Sequence, residues 1–148
     1  MASQSIVIGC DAVFFIKFAT YQKFKMEKFS WKKRALGFKY AYNGIWHVIS
    51  TQHNAWIHCA AAAAVIVAGI IFAISTVEWI IVIMCMAAVL AAESFNTALE
   101  ILANRITDRQ DEAIGLAKDV AAGAVLFTAI GSAIVGLIIF IPKISALL

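Results

Sequence analysis

Proline occurs once in the 148 residues, at Pro142, so almost nothing interrupts long helices. Charge is also scarce. Asp, Glu, Lys and Arg together make up 14% of the chain, against 63% hydrophobic residues. That balance, with a mean hydropathy of +0.88, excludes an ordinary soluble domain of this length and a disordered one. The three cysteines, Cys10, Cys59 and Cys85, lie in no CxxC spacing, and an odd number cannot close in pairs within one chain. Cys59 and Cys85 fall in apolar runs and read as small hydrophobes. No Gly-rich phosphate loop ending in Lys-Ser/Thr is present, and no two histidines stand four apart as a helical zinc site requires. His47, His53 and His58 are therefore expected to make interfacial hydrogen bonds.

What the chain does have is long apolar runs. Three qualify as membrane spans, at about residues 56–74, 78–100 and 120–141, each near the 20 residues an α-helical crossing needs. "STVE" between the first two carries turn and capping residues without Lys or Arg. "NRITDRQDEAIGLAKD" between the second and third is polar and carries both signs of charge. Eight of the twelve Lys and Arg residues (Lys17, Lys23, Lys25, Lys28, Lys32, Lys33, Arg34, Lys39) precede residue 40, against Asp11 and Glu27. A basic segment ahead of a span is expected on the cytoplasmic side. The N-terminus and the second loop then face the cytoplasm. Nucleic acid is not expected as a partner of so lipid-soluble a chain.

Ahead of the first span, Trp31, Ala35, Phe38, Tyr42, Ile45 and Ile49 recur every three or four residues, with Lys32, Lys33 and Lys39 off that stripe. This predicts an amphipathic helix in the membrane interface, compatible with packing on the other helices. Residues 1–28 are expected to be a lead outside the folded domain, with Met26 as the natural start. "DAVFFIKFA" is too short for a span, and no signal-peptide cleavage site follows it. The domain proper is expected over residues 29–148, an all-α membrane protein with three spans and one surface helix.

The second span ends in "LAAESFNTALEILANRI". At about 100° per residue, Glu93, Asn96, Thr97, Glu100 and Asn104 fall within an arc of roughly 100°, one helix face. A carboxylate at membrane depth costs about 2.5–3.5 kcal/mol on insertion scales. Hydrogen bonding between helices would account for Asn96 and Thr97 but poorly for two acids on one face. Glu93 and Glu100 stand roughly 10 Å apart along the axis at about 1.5 Å per residue, too far to share a proton. The deeper Glu93 suits a general base, and Glu100, nearer the cytoplasm, suits a hard cation such as Mg²⁺. Lys118 and Asp119 follow at the mouth of the third span, where a snorkelling lysine and an acid near a helix N-terminus are the plainer explanation.

"ESFNTALEILANRI" followed by "AKDVAAGAV" resembles the prokaryotic diacylglycerol kinase family, which includes undecaprenol kinases, over about residues 29–143. "HNAWIH" and "FIPKI" look more like the undecaprenol kinase branch. The resemblance implies a homotrimeric kinase of the bacterial inner membrane, with active sites between subunits near the cytoplasmic face. ATP would phosphorylate the hydroxyl of a lipid alcohol, diacylglycerol or undecaprenol, with Mg²⁺ as cofactor. Carried over by position, Glu93 matches the catalytic base and Asn96 a polar residue beside it, while Glu100 matches a Mg²⁺ ligand. Lys118 and Asp119 match the ATP-contacting pair. Lys33 and Tyr40 fall at ATP-side positions of the surface helix, and Arg109, Gln110 and Asp111 in the nucleotide loop.

Three positions depart from the family pattern. Gln52 stands where a second metal-binding Glu is usual, Asn104 where an Asp follows the motif, and Trp56 at a basic or polar position. Gln52 brings an oxygen to the ATP and metal site without a charge. A degenerate, non-catalytic scaffold is the alternative this opens. A proton pathway through Glu93 is a third reading, but it would call for acids throughout the bilayer depth, whereas a kinase alone requires Glu100, Lys118 and Asp119 on one side.

Overall fold

The computed structural model describes residues 29–106 and 111–146, and every element among them is helical. Helix α1 covers Trp31–Thr51, α2 His53–Ile71, α3 Thr76–Ile106 and α4 Glu112–Ser145. Helices α2, α3 and α4 are each long and apolar enough to cross a membrane. The all-α membrane class expected from the runs is therefore what forms. The expected lead over residues 1–28 lies outside the described residues.

Two packing units divide the chain, Met1–Gly37 and Phe38–Leu148. In the first, Phe29 meets Trp31 edge to face with ring centroids 5.0 Å apart, and the Arg34 guanidinium lies 5.3 Å from the Phe29 ring centre. Helix α1 itself has no buried residue. In the second unit α3 packs chiefly on α4 and less on α2. A single residue, Gln52, breaks α1 from α2. Its backbone is extended, with φ −101° and ψ 115°, and its side chain makes no capping bond. Trp56 spans this break, its indole N–H donating to the Ile49 carbonyl, and its ring lies 5.8 Å from that of His53. The aromatic residue at the departing position thus ties the two helices together.

The connection from α2 to α3 is tight, and its geometry is fully accounted for. Ile74 N–H donates to the Gly69 carbonyl at 3.1 Å and Ala73 N–H to that of Ile70 at 3.2 Å, the paired bonds that close a helix with a left-handed residue after it. That residue is Ala73, at φ 45°. Glycine is the usual occupant because a Cβ crowds the backbone there. Gly69 is needed for a different reason. A Cβ on it would lie 2.8 Å from the Trp79 ring and 3.1 Å from Ile74, so the turn closes only because that atom is missing.

Ser75 and Glu78 then start α3 reciprocally. The Ser75 N–H donates to the Glu78 carboxylate at 2.6 Å, and the Glu78 N–H to the Ser75 hydroxyl at 3.3 Å. The other oxygen of Glu78 pairs with Lys143 near the end of α4 at 3.2 Å. Beneath this pair Ile74, Val82 and Ile139 form a small buried cluster, flanked by Phe72, Trp79 and Phe140. Elsewhere most large apolar side chains are exposed, as expected of helices whose outer faces meet lipid or further protein.

The helices outrun the apolar runs at the other end. Helix α3 continues to Ile106 and α4 begins at Glu112, so Glu100, Asn104, Lys118 and Asp119 all sit on helix rather than in the loop. Asp119 is about two turns into α4, which removes the first-turn explanation for it.

Candidate functional site

The polar face predicted on α3 is real and is graded in burial. Glu93 and Thr97 are each 1% exposed and Asn96 6%, whereas Glu100 is half-buried and Asn104 exposed. Thr97 is explained locally, since its hydroxyl donates to the Glu93 backbone carbonyl at 2.9 Å. Glu93 and Asn96 are not. They line a cavity of about 270 Å³ with Asn54 and His58 of α2 and the apolar Val125 and Ala129 of α4.

Inside it, Glu93 Oε2 and Asn96 Oδ1 are buried without a hydrogen-bond partner. Leaving a buried acceptor unpaired costs about 1–3 kcal/mol, more when it is charged. Two such atoms side by side are what a site leaves open for a donor that arrives with a ligand. A carboxylate and an amide oxygen in a pocket also lined by Asn54 and His58 suit a hydroxyl group, whose proton the carboxylate can accept.

Nearer the loop, the Lys118 ammonium donates to the Asn104 side-chain oxygen at 3.0 Å, joining α4 to α3. Glu100 and Asp119 make no bond to another described residue. Lys118, Asn104 and Glu100 thus put one cation, one neutral acceptor and one uncommitted acid on the two helices beyond the pocket. Asp111 has a structural task, its Oδ1 accepting from the Ala113 and Ile114 N–H groups at 3.0 Å each as the cap of α4. Its second oxygen is left for other contacts. Tyr40 is exposed on α1, and Lys33 lies in that helix's first turn. Arg109 and Gln110 lie outside the described residues.

No three His, Cys, Asp or Glu side chains among the described residues group closely enough to enclose a metal. Mg²⁺ is commonly held by one or two carboxylates, with water and phosphate oxygens completing its shell, so it does not require such a group.

Residues 39–140 match the family model described as prokaryotic diacylglycerol kinase. The chain belongs to that family. It is 40% identical to the undecaprenol kinase of Bacillus subtilis over 107 residues, covering 72% of this chain and 87% of that one. It is 32% identical to a diacylglycerol kinase of Synechocystis over 114 residues, covering 76% of this chain and 65% of that one. No solved structure matches significantly. Membership places the chain among lipid kinases.

Two lining residues of this kinase escaped the sequence reading. Asn54 and His58 stand four apart in "HNAWIH", so one helix face carries both into the Glu93 pocket. The signal was present, but a search restricted to histidine pairs passes over it. His58 makes no hydrogen bond to a described residue.

Proposed function

We propose that this chain transfers the γ-phosphoryl group of ATP to the hydroxyl of a membrane lipid alcohol, diacylglycerol or undecaprenol, on the cytoplasmic side of the inner membrane. The observation that supports the reading is the unpartnered Glu93 carboxylate oxygen, buried with Asn96 in a pocket of α2, α3 and α4. Glu93 accepts the proton of the lipid hydroxyl as its oxygen bonds to the γ-phosphorus, and the bond from that phosphorus to the bridging oxygen breaks to release ADP. Asn96 holds the hydroxyl in register. Glu100 and Gln52 hold Mg²⁺, which when bound offsets charge on the phosphate oxygens.

Lys118 brings a second positive charge to the same phosphates, and Asp119 contacts the nucleotide. Lys33, Tyr40, Arg109, Gln110 and Asp111 complete the ATP side. Helix α1 lies along the cytoplasmic interface on its apolar stripe. Three copies assemble, which covers part of the exposed apolar surface and completes each site with a neighbour's side chains. One substrate comes from water and the other from the bilayer. A catalytic acid about two turns deeper than the metal ligand matches that arrangement.

The test is ATP- and Mg²⁺-dependent phosphorylation of diacylglycerol and of undecaprenol in mixed micelles. Wild type, Glu93→Gln and Gln52→Glu are run side by side. Product from wild type that falls by about 10²–10⁴ in Glu93→Gln is the expected result for loss of a general base. A silent wild type with an active Gln52→Glu would instead identify a kinase scaffold disarmed at its metal site.

A further inference from the structure

The bond from the Thr97 hydroxyl to the Glu93 carbonyl satisfies the hydroxyl, but it does not account for a hydroxyl standing there. Thr97 is fully buried, and a valine would fill the same space with no polar group to satisfy. The helix does not require the bond either. Within α3 the Glu93 carbonyl is already an acceptor in the regular ladder, and a threonine bonding back four residues slightly destabilises and bends a helix. Thr97 is not one of the residues lining the Glu93 pocket, so it does not meet a ligand there. Its single donor is committed to the backbone.

What Thr97 touches is Glu93, and Glu93 has nothing else to aim it. The Glu93 side chain makes no hydrogen bond to a described residue, and its Oε2 is buried without a partner. The direction of the carboxylate is therefore set by its stem and by the turn of backbone that carries it. A general base acts only within hydrogen-bond reach of its proton, and a misplacement of about 1 Å costs about a hundredfold.

We propose that Thr97 is the positioning residue for Glu93: its hydroxyl fixes the turn of α3 that points the carboxylate at the acceptor hydroxyl. This rests on the kinase reading, in which Glu93 is the base, and adds a residue that acts only through it. The small stability the helix gives up by keeping a back-bonded hydroxyl is the counterpart of that accuracy. Ser94 supplies an internal comparison. It follows Glu93 directly, and its hydroxyl makes the same kind of bond to the Leu90 carbonyl at 2.8 Å. A general effect of such bonds on α3 would make Ser94 and Thr97 equivalent. An effect exerted through Glu93 singles out Thr97.

Wild type, Thr97→Val, Thr97→Ser and Ser94→Ala are compared as purified full chains in mixed micelles, with ATP, Mg²⁺ and either diacylglycerol or undecaprenol. Thr97→Val should lower kcat roughly tenfold or more, with KM for ATP unchanged and the melting temperature equal to wild type or higher. Thr97→Ser keeps the donor and should recover most of the loss. Ser94→Ala should stay within about twofold of wild type, the scale of a bond that does not reach Glu93. Added to Glu93→Gln, Thr97→Val should lower the residual rate no further, because the group it aims is gone.

An unchanged kcat in Thr97→Val overturns the proposal, as does a loss that Thr97→Ser fails to recover. An equal loss in Ser94→Ala, or a loss that adds fully to that of Glu93→Gln, overturns it too. A fall in kcat matched by a fall in melting temperature would make Thr97 a packing residue and has the same consequence. A readout without turnover keeps this separate from the kinase reading. The infrared difference between wild type and Glu93→Gln isolates the Glu93 carboxyl band, which should broaden or shift in Thr97→Val and return in Thr97→Ser. Wild type that phosphorylates neither lipid defeats the kinase reading, whereas a band unchanged in Thr97→Val defeats the role of Thr97 even in an active kinase.

Discussion

The two ends of the helical bundle are built on opposite rules. At the α2–α3 turn the polar groups that hold the turn are matched: Ile74 and Ala73 close α2, Ser75 and Glu78 cap α3, and Glu78 reaches Lys143 on α4. About four turns further along α3 from Glu78, Glu93 and Asn96 are just as buried as the cluster under that turn, yet each leaves an acceptor unpaired. The first region holds the helices in register. The second carries a local energetic cost, which the proposed function assigns to a partner that arrives with the substrate.

The largest effect that would break this comparison is at Glu93. Glu93→Gln should reduce phosphorylation by about 10²–10⁴ while leaving the melting temperature equal to wild type or above it, because the amide keeps the side chain's shape and replaces one carboxylate oxygen. A variant that lost activity and melted lower in proportion would mean that Glu93 is a packing residue, and the contrast between the two ends would disappear.

The next effect belongs to the matched end. Gly69→Ala places a methyl group 2.8 Å from the Trp79 ring, and overpacking of this kind costs about 1–3 kcal/mol. Thermal or denaturant unfolding in detergent should show that loss, with kcat per folded molecule unchanged. A fall in kcat without a fall in stability would show that the two ends are mechanically coupled. In the opposite direction, Ala73→Gly relieves the left-handed backbone at φ 45° and should stabilise by about 1 kcal/mol. The same melts check it.

Much of this was legible before the fold was known, for identifiable reasons. Apolar runs with one proline left no alternative to spanning helices, and the fixed angular step of a helix put Glu93, Asn96 and Thr97 on one buried face. The helix ends were less legible. Apolar length marks only the greasy part of a helix, whereas α3 and α4 continue beyond it on their backbone hydrogen bonds, to Ile106 and from Glu112. His58 and Asn54 were missed because their significance depends on α2 standing opposite Glu93, a contact between segments that no local pattern encodes. Asp111 was assigned to the nucleotide loop from the family resemblance alone, and the cap it makes depends on α4 beginning at the next residue.

The smallest expected effect tests the boundary between the two rules, at Asn104. Its oxygen accepts from the Lys118 ammonium at 3.0 Å in an exposed position, so the contact joins α3 to α4 without neutralising the lysine. Asn104→Asp, which restores the residue usual in the family pattern, would turn this into an ion pair. Exposed pairs contribute about 0–1 kcal/mol, so the melting temperature should hardly move. The consequence should instead be electrostatic. A carboxylate beside Lys118 competes with nucleotide phosphate for the same ammonium and should raise KM for ATP a few-fold at low salt, less as salt is added. A lower KM would mean that the carboxylate helps bind the metal–nucleotide complex rather than masking the lysine. Asn104 would then be a deficit that Gln52 compounds. An unchanged KM would leave Lys118 as a strut between helices, and the matched, structural rule would extend down to the mouth of the site.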